Sequence, residues 1–117
     1  QKETGRIHLF EKSNFYKRDF IHVDDIVDIN FFFWRNPKIS GIFNAGTMAS
    51  RSFQEIAQIF SKRYGTAINY IPMPKLLQNQ YQEYTCADMS LLKNVYDKEF
   101  LSLEEGMDRY LRHLEAA

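Results

Sequence analysis

Hydrophobic and polar positions along the chain follow two different periods, which predicts a mixture of short strands and helices. Four segments are expected to be strands: residues 6–10, 20–23, 41–45 and 68–73. The first alternates, with Ile7 and Leu9 on one face, as a half-buried strand does. Pro72 and Pro74 end the last strand, because proline cannot donate to a ladder of hydrogen bonds. The glycine at position 46 is expected to permit the tight turn after residues 41–45.

Apolar residues at helical spacing predict the remaining elements. We expect helices over residues 25–35, 52–64 and 88–95, a C-terminal helix from residue 102, and a short helix or irregular segment at residues 75–83. Ser52 with Glu55, and Ser102 with Glu105, are spaced as capping boxes, and Gly65 offers a stop for the second helix. Apolar residues surround nearly the whole helix of residues 25–35. This pattern indicates burial on several sides or a protein interface.

The chain length predicts one domain with a single core, and the series of short strands and helices predicts a mixed α/β fold. The chain has 117 residues, and its 15 basic and 15 acidic residues cancel, so a general nucleic-acid binder is disfavoured. The lone Cys86 excludes an internal disulfide and suits a reducing compartment, so we expect a cytoplasmic protein. No apolar run is long enough for a membrane helix, and residues 1–8 lack the apolar stretch of a signal peptide.

Acidic, glycine and histidine patterns offer weak alternatives. Residues 24–28 read D-D-x-x-D, a pattern that can hold magnesium and diphosphate, but capping of the helix by Asp24 and Asp25 is favoured. Residues 41–46 have the glycine spacing of a phosphate loop without its lysine. The three histidines are not spaced as metal ligands, so no metal site is expected.

Arg18 is the residue with the clearest potential for ligand binding. It follows Lys17 just before an expected strand, and the planar fork of a guanidinium can bind two phosphate oxygens at once. Taken alone, these residues favour an ordinary surface role over a ligand contact.

Two segments carry a resemblance to a known superfamily. Residues 17–30 read KRDFIHVDDIVDIN, and residues 40–47 read SGIFNAGT. Together they resemble the C-terminal part of extended short-chain dehydrogenase/reductase enzymes that act on nucleotide sugars. Narrower segments, LFEKS at residues 9–13, YIPMP at 70–74 and YQEYT at 81–85, are similar to the ADP-L-glycero-D-manno-heptose 6-epimerase family. The resemblance extends over nearly the whole chain.

The resemblance implies a substrate-binding role for residues 1–117, as the C-terminal portion of an epimerase whose N-terminal Rossmann domain is not in this sequence. It implies that six residues line a pocket for ADP-heptose: Phe10, Glu11, Lys12, Ser13, Arg18 and Tyr81. Arg18 would contact the diphosphate. NADP, bound by the absent domain, would serve an oxidation and reduction at C6 in lipopolysaccharide core synthesis. Lys12 and Met48 stand where the family has glycine.

The motifs that such enzymes use for catalysis are missing from the sequence. No tyrosine has a lysine four residues later, and the five glycines never fall in a Gly-x-x-Gly-x-x-Gly turn. We therefore expect that the chain contains no catalytic residue and is inactive on its own. Because surface that would pack against the absent domain is apolar, we also expect a homo-oligomer or swapped dimer that hides it. The alternatives are another nucleotide-sugar epimerase or dehydratase, a non-catalytic sugar-nucleotide binder, or an interaction module.

Overall fold

The computed structural model of the protein describes residues 5–117, and they form four short strands and five helices. In chain order these are β1 (Arg6–Phe10), β2 (Lys17–Arg18), α1 (Val23–Arg35), β3 (Arg51–Ser52), α2 (Phe53–Tyr64), β4 (Ala67–Ile71), α3 (Lys75–Gln78), α4 (Ser90–Lys93) and α5 (Leu103–Ala116). The predicted mixed α/β class is confirmed.

The chain folds into two compact units, where the sequence predicts a single core. The first unit contains the residues up to Arg18 together with Ser50–Thr85, and the second contains Asp19–Ala49 together with Cys86–Ala117. The chain changes unit three times, so Arg18 and Asp19 are neighbours in sequence and members of different units. Hydrophobic periodicity describes each element separately, and it cannot reveal such a division.

The first unit is built on two small pairs of strands. β1 and β4 run parallel, with Arg6 opposite Ala67 at one end and Phe10 opposite Ile71 at the other. β2 and β3 are antiparallel, and Arg18 lies opposite Arg51 in the register. The strand predicted at residues 68–73 is thus present as β4, and it ends at Ile71, just before Pro72.

Helix α2 has the ends that its sequence predicts. The Ser52 hydroxyl accepts from the Glu55 N–H at 3.1 Å, and the Glu55 carboxylate accepts from the Ser52 N–H at 2.7 Å. The hydrogen bond from the Ser52 backbone lowers the pKa of Glu55 more than burial raises it. Gly65 ends the helix in the left-handed conformation, at φ 65°. The second predicted capping box, Ser102 with Glu105, opens α5 in the same way.

The second unit is helical and has its own apolar core. Ile29 of α1 packs with Met89, Leu92 and Tyr96, all of which are buried. Phe33, one turn beyond Ile29, extends this core toward Phe43, with 4.9 Å between the two ring centroids. α1 therefore faces the core through one stripe of its surface.

Two of the predicted strands are not strands in the structure. Residues 20–22 are irregular and Val23 already belongs to α1, while residues 41–45 are also irregular and form no ladder. A strand is stabilised by hydrogen bonds to a neighbouring strand, and neither segment belongs to a ladder among residues 5–117. Both segments have the composition of strands, but composition alone does not form a ladder.

The N-terminal cap of α1 also differs from the prediction. His22 is the cap residue, and its Nδ1 accepts a hydrogen bond from the Asp24 N–H at 3.1 Å. Asp24 and Asp25 lie in the first turn of the helix, so the prediction that they cap it is wrong. Histidine is not among the usual capping residues, which explains why the acidic pair attracted the prediction.

Each acidic side chain of the D-D-x-x-D segment has a structural partner within the second unit. Asp24 pairs with Arg109 at 3.1 Å, and Asp28 pairs with Lys98. The carboxylate of Asp25, which is 5% exposed, accepts from the Leu101 N–H at 3.0 Å. These contacts tie α1 to the segments around α5. In the part of the chain that the structure describes, no group of three acidic, histidine or cysteine residues could hold a metal ion.

Asp88 opens the short helix α4 from outside it. Its Oδ1 accepts from the Ser90 N–H at 3.0 Å, and hydrogen bonds from the side chain and the backbone of Ser90 lower the pKa of Asp88. The helix predicted over residues 88–95 is confirmed in place but is shorter, since α4 covers only Ser90–Lys93.

Candidate functional site

The first unit contains a cavity of about 200 Å³ beside the C-terminal ends of β1 and β4. Its lining residues are His8, Leu9, Phe10, Ser13, Tyr16, Phe53, Ile71 and Tyr81. An apolar and aromatic wall with a few polar groups is typical of small-molecule sites. Complete ligand pockets usually enclose roughly 300–1,000 Å³. The cavity is therefore suited to one ring system of a larger ligand.

The turn after β1 directs Ser13 into this cavity. The Ser13 N–H donates to the Phe10 carbonyl at 3.1 Å, and the Glu11 N–H donates to Ile71 at 2.8 Å, so the turn is attached to β4. Ser13 is 2% exposed, and its hydroxyl has no hydrogen-bond partner among the described residues. Leaving a buried polar group unpaired costs about 1–3 kcal/mol. A hydroxyl in this state is expected where a ligand supplies the missing partner.

Arg18 carries a positive charge that no carboxylate neutralises within residues 5–117. Its guanidinium carbon lies 5.4 Å from the ring centroid of Phe53 and 5.4 Å from that of Tyr81. One of its N–H groups donates to the Lys17 carbonyl at 2.8 Å. Stacking on aromatic faces leaves the edge of a guanidinium, where its remaining donors point, available to an anion.

Tyr81 links the cavity to Arg18. Its ring packs edge to face against Phe10, with 6.1 Å between centroids, and against Tyr16, with 4.8 Å. Phe10, Ser13 and Tyr81 thus line one cavity, and Arg18 lies over the Tyr81 ring.

Glu11 and Lys12, the other two residues expected at the site, have exposed side chains outside the cavity lining. Lys12 adopts φ 65°, a left-handed conformation that favours glycine. Their backbone shapes the turn that carries Ser13, while their side chains face solvent.

Tyr16 and Phe53 belong to this arrangement but were not anticipated. The helical spacing of the apolar residues around Phe53 predicts a place on the apolar face of α2 and no role at a site. Phe53 is the first residue of that helix, and its N–H donates to the Tyr16 carbonyl at 3.2 Å. A side chain at the first position of a helix lies beside the strand that precedes the helix. The place of Phe53 directly after the capping serine is therefore the one sequence signal that could have indicated its role.

In the second unit, the carboxylate of Asp19 is hydrogen-bonded to two segments, at residues 47–48 and at Ala87. It accepts hydrogen bonds from the N–H groups of Thr47 at 2.8 Å, Met48 at 3.0 Å and Ala87 at 3.1 Å, and also from the Thr47 hydroxyl. Burial raises the pKa of Asp19, but these hydrogen bonds together bring it below its usual value. A Cβ on Gly46 would lie 2.5 Å from Asp19 Oδ2. Glycine is therefore required here for close packing, whereas its φ is not positive and the turn predicted from the sequence does not itself demand glycine.

The described residues do not fit a nicotinamide dinucleotide. Its diphosphate usually binds at a helix N-terminus through unoccupied N–H groups, beside glycines. The first turns of α1, α2 and α5 contain carboxylates, and in α2 and α5 the capping box occupies the N–H groups of the cap residue and of the third helical residue. These carboxylates would repel a diphosphate.

No helix among the described residues is both long and apolar enough to span a membrane.

The amino-acid sequence is similar to that of a known enzyme. No family model matches the chain. An ADP-L-glycero-D-manno-heptose-6-epimerase from Brachyspira hyodysenteriae is 46% identical over 116 residues, which are 97% of this chain and 36% of that protein.

Solved structures give the same picture. The Helicobacter pylori ADP-L-glycero-D-manno-heptose-6-epimerase superposes with a TM-score of 0.79 at 28% identity, over 96% of this chain and 34% of its own. A NAD-dependent NDP-hexosamine 5,6-dehydratase of tunicamycin biosynthesis shares the fold, with a TM-score of 0.80 at 18% identity, over 97% of this chain and 36% of its own. The chain is therefore similar, along nearly its whole length, to about one third of the ADP-L-glycero-D-manno-heptose-6-epimerases, and it has the fold of extended short-chain dehydrogenase/reductase enzymes.

Proposed function

We propose that this chain is the C-terminal, substrate-binding portion of an NADP-dependent epimerase. The enzyme would convert ADP-D-glycero-D-manno-heptose to ADP-L-glycero-D-manno-heptose by oxidation and reduction at C6. Within it, this portion binds the ADP end of the substrate and orients the sugar. The dinucleotide-binding turn and the Tyr-x-x-x-Lys pair for proton transfer belong to a separate Rossmann domain, because this sequence contains neither.

The observation that supports this proposal is that a buried hydroxyl without a partner and an arginine without a carboxylate partner both lie at one aromatic cavity. The Ser13 hydroxyl is buried without a partner, and the Arg18 guanidinium lies over the Tyr81 ring with no carboxylate beside it in the described chain. A nucleoside diphosphate has the complementary features, namely a ring system, hydroxyl groups and an anionic diphosphate. The 46% identity with a heptose epimerase favours adenosine as the nucleoside.

Each predicted site residue has a defined part in the proposal. Arg18 pairs with diphosphate oxygens through its edge, and the Ser13 hydroxyl bonds the base or ribose. Phe10 and Tyr81 provide apolar surface for the ring. Glu11 and Lys12 contribute through the backbone of the turn, since their side chains are exposed.

Titration of the chain with ADP, followed by calorimetry, tests the proposal. A hydrogen-bonded contact to a charged group is worth about 1.5–3 kcal/mol, so Arg18→Ala is expected to weaken binding roughly ten- to hundredfold. Arg63→Ala is the matched control, because Arg63 also lies over a tyrosine ring of the first unit, 5.8 Å from the Tyr64 centroid. Unchanged affinity in Arg18→Ala would remove Arg18 from the site.

Other nucleotide-sugar enzymes are the nearest alternative, because a dehydratase shares the fold at 18% identity. Competition between ADP and UDP distinguishes them: preference for ADP supports the epimerase, and preference for UDP supports the alternative. A non-catalytic binder or interaction module would likewise lack catalytic residues. Heptose epimerase activity of this chain alone would contradict the assignment of catalysis to another domain.

We also propose that the isolated chain self-associates, as a homo-oligomer or swapped dimer. A stripe on α1, formed by Val23, Val27, Phe31 and Trp34, remains largely exposed, and Trp34 is 76% exposed. Association would remove this apolar surface from water. Trp34→Ser is expected to lower the apparent mass in sedimentation experiments, while Leu76→Ser, outside the stripe, should not. A wild-type monomer at high concentration would contradict the proposal.

The proposed location is the cytoplasm, which suits the free Cys86.

A further inference from the structure

We infer that Phe53 is a positioning residue for Arg18, and that it acts on a bound diphosphate only through the guanidinium. The inference rests on the proposed function. The guanidinium carbon of Arg18 is equidistant, at 5.4 Å, from the ring centroids of Phe53 and Tyr81. Both rings line the cavity that would accept the nucleoside, but the contact of Phe53 with Arg18 has no counterpart in the roles expected from the sequence.

The backbone holds Phe53 in this place from two directions. Arg18 is the last residue of β2 and is paired with Arg51 of β3, two residues before Phe53. The Phe53 N–H donates to the Tyr16 carbonyl at 3.2 Å, which continues the register of β2 and β3 by one residue. The capping box of Ser52 fixes the start of α2 immediately before Phe53. The ring therefore belongs to a rigid junction of strand and helix.

Such a junction reduces the cost of binding an anion. An arginine side chain has several rotatable bonds, and it loses rotamer freedom when it pairs with a phosphate. Aromatic rings beside the guanidinium restrict that freedom before the ligand arrives, which is preorganisation. The donors of the guanidinium lie in its plane, so stacking does not occupy them. One donor bonds the Lys17 carbonyl, which further fixes the plane.

Phe53→Leu separates this role from simple packing, because leucine keeps an apolar side chain but lacks a ring face. We expect the affinity of the chain for ADP to fall about two- to fivefold, in line with the usual strength of an exposed cation–π contact. Phe53→Tyr keeps the ring and should restore wild-type affinity. Phe60→Leu is the matched control, since Phe60 is on the same helix and packs against Tyr64, with 4.6 Å between centroids.

A double-mutant cycle then tests whether Phe53 acts through Arg18. In an Arg18→Ala background, titrated with millimolar ADP by NMR, Phe53→Leu should cause no further loss. A second measurement needs no ligand. The Arg18 Nε–H resonance of the free chain should shift in Phe53→Leu, because the ring current is lost, and should not shift in Phe60→Leu.

The outcomes distinguish this inference from the proposed function. Unchanged ADP affinity in Phe53→Leu, or an equal loss with and without Arg18, overturns the positioning role while leaving the diphosphate contact intact. If Arg18→Ala itself leaves ADP affinity unchanged, the proposed function fails, and the positioning role fails with it. Circular dichroism establishes that each variant is folded, and Phe53→Met replaces Phe53→Leu in the same cycle if leucine prevents folding.

Discussion

Thr47 donates two hydrogen bonds to one carboxylate oxygen of Asp19, from its backbone N–H at 2.8 Å and from its hydroxyl. The other oxygen accepts from the N–H groups of Met48 and Ala87. In Asp19→Asn one of these oxygens becomes an NH₂ group that faces donors. We expect the free energy of unfolding to fall by about 1.5–3 kcal/mol in urea denaturation. Asp97→Asn makes the same charge change at an exposed position, and an equal loss there would contradict the prediction.

The same carboxylate predicts a pH dependence of stability. Burial raises the pKa of Asp19, but the hydrogen bonds from Thr47, Ala87 and Met48 outweigh it, so the folded-state pKa lies below the unfolded value. The unfolded chain therefore binds more protons as the pH falls below about 4. The stability from Asp19 is fully present above that pH, and it is lost as the pH falls through the folded pKa. The difference in unfolding free energy between wild type and Asp19→Asn should be constant from pH 7 to 5 and shrink toward pH 2.5. A difference independent of pH would exclude this linkage.

Backbone strain at Lys12 and Met48 predicts two stabilising substitutions. Their φ angles are 65° and 62°, in the left-handed region that side chains with a Cβ rarely adopt. Relief of that strain, of roughly 1–2 kcal/mol, is partly offset by the greater freedom of glycine in the unfolded chain. Lys12→Gly and Met48→Gly should therefore each raise the unfolding free energy by about 0.5–1 kcal/mol. Lys62→Gly, within α2, should lower it by about 1 kcal/mol. Destabilisation by the first two would show that neighbouring contacts compensate for the strain.

The sequence predicts helix ends correctly where the hydrogen bonds form between residues close in the chain. It does not show which β-like segments become strands, because a strand needs a partner that is distant in sequence. The capping boxes of Ser52 and Ser102 form within four residues, so the sequence contains all their parts. Residues 41–45 have the composition of a strand, yet they belong to no ladder among the described residues. Periodicity indicates which face of an element is apolar, but not whether a ladder will form.

The candidate site shows the same limit. Residues 10–13, Arg18 and Tyr81 were identified by resemblance to a family, because no spacing rule connects a turn, a strand end and a residue more than sixty positions later. The helical spacing of the apolar residues around Phe53 indicates only that its side chain is on the apolar face of α2. Its contact with Arg18 depends on the pairing of β2 with β3, which involves only two residues in each strand. A ladder that short leaves no distinctive pattern in the sequence.

Ser13 and Ser52 provide a final test. Both are buried serines of the first unit, but only the Ser52 hydroxyl has a hydrogen-bond partner among the described residues. Ser52 caps α2, so Ser52→Ala should lower the unfolding free energy by about 1 kcal/mol. The Ser13 hydroxyl has no partner among residues 5–117, so Ser13→Ala should leave stability unchanged or raise it by about 1 kcal/mol. If that hydroxyl bonds the base or ribose, the same substitution should weaken ADP binding about two- to tenfold by calorimetry. Loss of stability in Ser13→Ala equal to that in Ser52→Ala would mean that the hydroxyl is already satisfied within the fold, and ADP would then have no unpaired group to meet at this position.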